Sequence, residues 1–217
     1  MRAFVIFRDR VTYATRCVDA LHAAGLDVVI VDHGTTYPDA LDWLAELESQ
    51  GLRVVREGPG NHPRDLWSKA WFREMCGQDR YIVTDPDVIP SADCPADWAE
   101  QLGRVLDANP GIPKAGIALS LDVPLHYKRR HNVLNWENRF WVTPAHGDAY
   151  SAPVDTTLAL HAPLHVQDRF TYVAVRTASP YVADHLPWSE DDDHLPDDVA
   201  WYYQHAEPGI SCWAPRA

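Results

Sequence analysis

Two apolar spacings alternate along the first part of the chain. Ala3–Phe7 is a short unbroken apolar run that gives way to the charged RDR of Arg8–Arg10. Val11, Ala14, Val18 and Leu21 then recur at helical spacing until Gly25, which predicts a helix over Val11–Ala24. The β-branched DVVIV of Asp27–Val31 predicts a strand. Thr36–Gln50 reads as a helix, with Pro38 and Asp39 in its first turn and Leu41, Leu44 and Leu47 near one face. Leu52–Val55 predicts a third strand, Asp65–Cys76 a helix and Tyr81–Thr84 a fourth strand.

Strands alternating with helices point to a parallel, helix-covered sheet. Short apolar strands without polar alternation fit a sheet buried on both faces. Ligands in such sheets bind beyond the carboxyl ends of the strands. Three polar loops follow strands and so converge on one edge: Arg8–Arg10, Asp32–Thr36 and Asp85–Asp87. The second part is less regular. Pro95–Asp107 and Asp197–His205 read as helices, and Lys114–Leu121, Thr156–His161 and Tyr172–Arg176 as strands, the last two antiparallel. The fold class expected is α/β, a mostly parallel sheet with helices on both faces and an irregular C-terminal half. One domain over 1–217 is expected, divided into a first half (1–120) and a second (121–217).

Composition narrows the partners. The formal net charge is -12, so bulk binding to a nucleic-acid backbone is not expected, because neutralising phosphates needs a basic face. The one basic cluster, His126–His131, and the acidic run Glu190–Asp193 are both read as solvated loops. Four well-separated cysteines (Cys17, Cys76, Cys94, Cys212) form no CxxC pair; they read as reduced thiols and, with no signal peptide or membrane span visible, point to a cytoplasmic location. Trp136, Trp141, Trp188, Trp201 and Trp213 crowd the later sequence, where indoles either stack on ligands or pack loops.

The sharpest candidate is TDPD at Thr84–Asp87. Residues i and i+2 of an extended segment point the same way, so Asp85 and Asp87 can share one ligand, and Pro86 fixes its own φ between them. Paired carboxylates suit Mg²⁺ or Mn²⁺, which keep coordination positions for phosphate oxygens. An Asp-Pro turn is the plain alternative.

The ordered segments VIFRDR, VDHGTT, NHPRDLWSKAW and YIVTDPDVIP resemble a GT-A type glycosyltransferase of the broad family-two kind. VDHGTT stands where VDDGST is usual, and TDPD where that family's DxD stands. APVDTTLALH and PYVADHLPWSED look like segments of a small bacterial and phage-type branch. The resemblance implies a nucleotide-sugar donor, a UDP-sugar first, and Mn²⁺ or Mg²⁺. It implies that Arg8 and Asp9 flank the nucleotide, that Asp32 contacts its base or ribose, that Asp85 faces the ribose or sugar, and that Asp85 and Asp87 hold the metal. His33 replaces the usual second acidic residue of the turn and leaves the nucleotide open. A late histidine as metal ligand points to His185, with Trp188 closing over the sugar; His161, His165 and His194 are other choices.

Glycosyl transfer leaves charge on the departing diphosphate, which a divalent metal stabilises. An inverting enzyme also needs a base for the acceptor hydroxyl. Asp155 is the first candidate and Glu137 the second; Asp155 can equally bind Thr157 locally. Lys69 and Arg64 can offset diphosphate charge or face solvent. The acceptor is open: a glycan, a protein side chain or a modified nucleobase. A haloacid-dehalogenase type phosphatase or phosphotransferase also places DxD after a strand, but after the first strand of its fold rather than the fourth. A nucleotidyltransferase would open on a Gly-rich loop absent from FRDRVTYATR, and a sugar-binding domain would not explain three polar loops at one edge.

Overall fold

The computed structural model describes residues 1–58, 63–155, 157–166 and 173–206. The first part follows the expected alternation: β1 (Arg2–Phe7), α1 (Val11–Ala23), β2 (Asp27–Asp32), α2 (Pro38–Ser49), β3 (Arg53–Arg56), α3 (Ala70–Cys76) and β4 (Tyr81–Thr84). The helix expected over Asp65–Cys76 is broken. Pro63–Ser68 forms a 3-10 turn, and Lys69 is extended before α3 begins.

β1 pairs in parallel with β2 and with β4, and β2 with β3, so these four strands end on the same edge. Their side chains alternate between two cores. Ala3, Val5, Phe7, Val28, Ile30 and Ile82 pack on the side of α1 and α2. Phe4, Ile6, Val29, Val31 and Val83 pack against Leu66, Trp67 and Phe72 on the other. Both faces being covered explains why the strands read as continuous apolar runs.

The second part adds β5 (Val88–Pro90), α4 (Trp98–Ala108), β6 (Lys114–Gly116), β7 (Ala118–Leu119), α5 (Arg130–Glu137), β8 (Pro144–Ala145), β9 (Ala149–Ser151), β10 (Ala159–His161), β11 (Val175–Thr177), β12 (Val182–His185) and α6 (Asp197–His205). β10 runs antiparallel between β4 and β6, and the main sheet has the order β3-β2-β1-β4-β10-β6-β11-β9-β8. A small sheet, β5-β12-β7, lies beside it.

One expectation changes. The single strand expected over Lys114–Leu121 divides at Ile117: β6 stays in the main sheet and β7 joins β12. β10 and β11 run antiparallel to each other, as expected, with β6 between them. Residues 156 and 172, at the expected starts of those two strands, lie outside the described residues, as do Cys212 and Trp213.

β6 has no room for a side chain at Gly116. A Cβ there would stand 2.7 Å from Cγ1 and 2.8 Å from Cγ2 of Val154, which is itself buried. A branched side chain cannot fold back out of the way, so the strand must shift. Gly116→Ala is expected to cost about 1–3 kcal/mol in urea unfolding. Gly103→Ala in α4, where the Cβ would meet only Arg80 Nη1 at 3.8 Å, is expected to gain about 0.5–1 kcal/mol.

Candidate active site

The three polar loops meet at the carboxyl edge of β1, β2 and β4, though not all of their carboxylates face the opening. Asp9 is fully buried and has a left-handed backbone, φ 59°. Its Oδ1 accepts the N–H groups of Thr36 (2.6 Å) and Tyr37 (2.9 Å), tying the first loop to the start of α2. Asp9 therefore clamps two loops together rather than presenting a carboxylate to a nucleotide. Arg8, half-buried, has Nε 3.5 Å from Asp9 Oδ2 and donates from Nη2 to the His205 carbonyl. Asp32 is also buried; its Oδ1 accepts the Thr35 N–H at 2.9 Å and its Oδ2 lies 3.5 Å from Arg56 Nη1.

The DPD turn is where distant parts of the chain converge. Asp87 is buried, and its Oδ2 accepts from Arg10 Nη1 at 2.5 Å. β12 pairs with β5 in the register His185↔Val88, and the Leu186 N–H donates to the Asp87 carbonyl. That pairing brings His185 Nε2 to 3.9 Å from the same Asp87 oxygen. Burial opposes ionisation of Asp87, but Arg10 and then His185 outweigh it and hold the carboxyl below its ordinary range. Burial pushes the His185 pKa down, against the pull of Asp87, which favours the neutral imidazole. Asp85 is half-buried and adds to the negative field acting on Arg10.

Trp188 is buried and packs its ring on His185, centroids 4.7 Å apart. It backs the imidazole and offers a sugar no open face, contrary to the role expected for it. His161 is stacked between Tyr81 and His165 on β10, and His194 pairs with Asp191 at the surface.

The two base candidates part ways. Glu137 is buried, and its Oε2 accepts from Arg176 Nη1 at 2.7 Å, while Arg176 Nε donates to the Pro153 carbonyl. It braces the segment leading to Asp155, and no acceptor hydroxyl reaches a carboxylate held this way. Asp155 is exposed; its Oδ1 accepts the Thr157 N–H at 3.2 Å, the local turn anticipated for it. Lys114, buried on β6, donates to the carbonyls of Val154 and Asp155. Burial drives its ammonium down to about 7, with Asp155 resisting. Lys69 pairs with Glu57 at 2.5 Å, away from Asp87, and the Arg64 side chain lies outside the described residues.

Three features escaped the sequence reading. Helix α6 crosses the first two loops. Asp198 accepts from the Thr12 N–H (2.6 Å) and Thr12 Oγ1 (2.9 Å), satisfying an orphan donor at the start of α1. Tyr202 lies under the Arg10 guanidinium, 4.4 Å from ring centroid to Cζ, and Trp201 Nε1 donates to Thr36 Oγ1. Second, the basic and acidic runs dock on each other. Lys128 meets Asp193 at 2.8 Å and Arg129 meets Asp192 at 2.9 Å, so neither run is simply a solvated loop, and the chain's one basic cluster is partly neutralised. Third, this docking draws Glu190 inward. Both its carboxylate oxygens are buried without a hydrogen-bond partner among the described residues. Burial raises its pKa to about 7, opposed by Arg10.

A divalent ion can be tested against these residues. Among the described residues, no three His, Cys, Asp or Glu side chains are grouped to hold a metal by themselves. Asp87 and His185 do offer an ionised oxygen and a neutral nitrogen within 3.9 Å of each other. Mg²⁺ and Mn²⁺ commonly take one or two protein ligands and complete their shell with water and phosphate oxygens, so the donor chemistry fits. A separate cavity of about 330 Å³, lined by Tyr150 and Tyr181 among others, lies against the β8–β9 hairpin and contains none of these residues.

The architecture is that of the GT-A fold. The chain superimposes with a TM-score of 0.50 on the mannosyltransferase PcManGT from Pyrobaculum calidifontis, solved in complex with GDP-Man and Mn²⁺, at 16% identity over 94% of this chain and 59% of that one. TarS from S. aureus gives a TM-score of 0.50 at 13% identity over 94% and 64%. The chain thus spans roughly three-fifths of each of these solved chains, and at such identities the likeness is one of fold. No family model matches the sequence, and no curated protein matches it. No helix among the described residues is long and apolar enough to cross a membrane.

Glu190 gives this region a pH signature. Its folded pKa lies above the ordinary value of 4.5, at about 7, so within that window the folded state keeps a proton that the unfolded chain has released. Its contribution to stability is therefore lost as pH rises from about 4.5 to 7. Glu190→Gln is expected to flatten that fall: urea midpoints of the variant should improve relative to wild type between about pH 5 and pH 8.

Proposed function

We propose that this chain is a metal-dependent glycosyltransferase, moving a sugar from a nucleoside-diphosphate donor to an acceptor hydroxyl. The observation that carries the reading is the meeting of Asp87, His185 and Arg10 at the carboxyl edge of the parallel strands, where open α/β sheets bind ligands. Asp87 and His185 would hold Mn²⁺ or Mg²⁺. When bound, the ion supplies Lewis-acid stabilisation of the charge that develops on the leaving diphosphate.

The chain's own groups divide the rest. Asp32 and Arg8 would meet the nucleoside, and Asp85 the ribose or sugar. Asp32 would have to exchange its contact with Arg56 for one with the base. A UDP-sugar is the first donor to test, and His33 in place of an acidic residue makes a guanosine donor the second. Asp155, exposed and close enough to His185 to act on its charge, would take the acceptor proton. The acceptor class stays as broad as a glycan, a protein side chain or a modified nucleobase.

A phosphatase of the haloacid-dehalogenase type fits less well. That type places its aspartate pair after the first strand of its fold, whereas Asp85 and Asp87 follow β4.

Thermal unfolding with UDP, GDP and their sugars, each with and without Mn²⁺, tests the proposal. A midpoint shift that needs both one nucleotide and the metal is expected, and Asp87→Asn should abolish it and lower transfer at least about 100-fold. A shift with Mg²⁺ and phosphate analogues but with no nucleotide would favour the phosphatase. Asp155→Asn is expected to lower kcat by about 10²–10⁴-fold with the donor-induced shift intact. An unchanged kcat would overturn Asp155 as the base.

A further inference from the structure

Resting on that reading, we propose that Arg10 is a movable counter-cation of the donor site. It holds the Asp87 carboxylate before the donor arrives and passes to the diphosphate when a divalent ion takes the same oxygen. Three observations carry this.

The first is competition for one atom. Arg10 Nη1 and His185 Nε2 both address Asp87 Oδ2, at 2.5 and 3.9 Å. A metal bound through this oxygen, the one 3.9 Å from His185 Nε2, would hold it at about 2.1 Å. A guanidinium at its present distance would then lie within ~4 Å of a divalent charge, where like charges repel strongly in a screened interior. Arg10 and the ion therefore exclude each other.

The second is confinement. The side chains of Arg10 and Asp87 are only 12% and 7% exposed. A displaced guanidinium cannot simply dissolve in water; it needs another anion close by. Arg10 Nε is buried without a hydrogen-bond partner among the described residues, so the fork has a donor in hand for one. A diphosphate oxygen matches it, because a planar guanidinium binds phosphate through two parallel N–H groups.

The third is the surface beneath it. Arg10 Cζ lies 4.4 Å from the Tyr202 ring and 5.8 Å from the Tyr13 ring. Aromatic faces hold a guanidinium without fixing its rotation about the stack, so the fork can turn from Asp87 toward the opening while keeping its support on α6.

The consequence is coupling. The metal alone must turn Arg10 from Asp87 with no phosphate to receive it, only Asp85 and the buried Glu190 carboxyl, which favours its proton, and the diphosphate alone finds Arg10 engaged. Together each removes the obstacle to the other, and linkage makes the gain reciprocal. The test is the signal of free Mn²⁺ in electron paramagnetic resonance titrations, with and without UDP or GDP, for wild type, Arg10→Gln and Arg10→Lys. Wild type is expected to bind Mn²⁺ about tenfold more tightly with the diphosphate than without it. Arg10→Gln is expected to bind Mn²⁺ alone about tenfold more tightly than wild type, and to lose most of the coupling. Arg10→Lys keeps the charge on a single donor and should fall between the two. It also carries the test if circular dichroism shows that Arg10→Gln does not fold.

Equal Mn²⁺ affinity in wild type and in the folded variants, with Mn²⁺-dependent diphosphate binding intact, would overturn the role of Arg10 and leave the transferase reading standing. Diphosphate binding to wild type that ignores Mn²⁺ would overturn the coupling. Failure of wild type to bind either ligand would overturn both proposals.

Discussion

A buried carboxylate sets the organisation of this molecule. Asp87 is shut away from water, and an ionised carboxylate in that position must be paired. Its partners come from opposite ends of the chain: Arg10 from the start of α1 and His185 from the end of β12. Satisfying one charge therefore fixes how the regular first part and the irregular second part sit together. The small sheet repeats the constraint in the backbone, since β5 follows Asp87 directly and pairs with β12 in the register that delivers His185.

Around that pair, polar side chains trade exposure for architecture. Asp9 and Asp32 look in sequence like groups waiting for a ligand, and Asp198 lies in a segment read only as a helix. Each satisfies backbone N–H groups at a loop or a helix start, where an unmet donor would be costly once covered. The loops at the sheet edge are consequently held in place before any ligand arrives, a condition for low-cost binding. Helix α6 adds to this by crossing the first two loops and placing Tyr202 beneath Arg10.

The acidic balance is likewise organised inside the fold. The Glu190–Asp193 run closes onto Lys128 and Arg129. Pairing these two runs brings Glu190 near Arg10 and leaves it half-buried with a pKa close to neutrality. A charge run that reads as solvated in one dimension thus becomes the wall of a site, because its complement lies some sixty residues earlier.

Local pattern determined the first part of this protein. The spacing of Val11, Ala14, Val18 and Leu21, and the apolar runs at β1, β2 and β4, are produced by elements that bury whole faces, so each segment carries its own signal. Residue type and place in the series were likewise enough to single out Asp85 and Asp87 at the end of β4, whereas His185 was raised by the resemblance to GT-A transferases. Tertiary structure alone decided the rest. β5, β7, β8 and β9 are two or three residues long, too short for any periodicity, and they exist because a neighbouring strand supplies their hydrogen bonds. The split of Lys114–Leu121 between two sheets has the same origin. Glu137 and Trp188 were legible as chemistry but not as burial, which depends on Arg176 and His185 approaching from elsewhere. The pairing of Arg10 with Asp87 spans seventy-seven positions. No local pattern encodes it, because it arises only when the fold encloses both charges and removes the water that would otherwise have kept them apart.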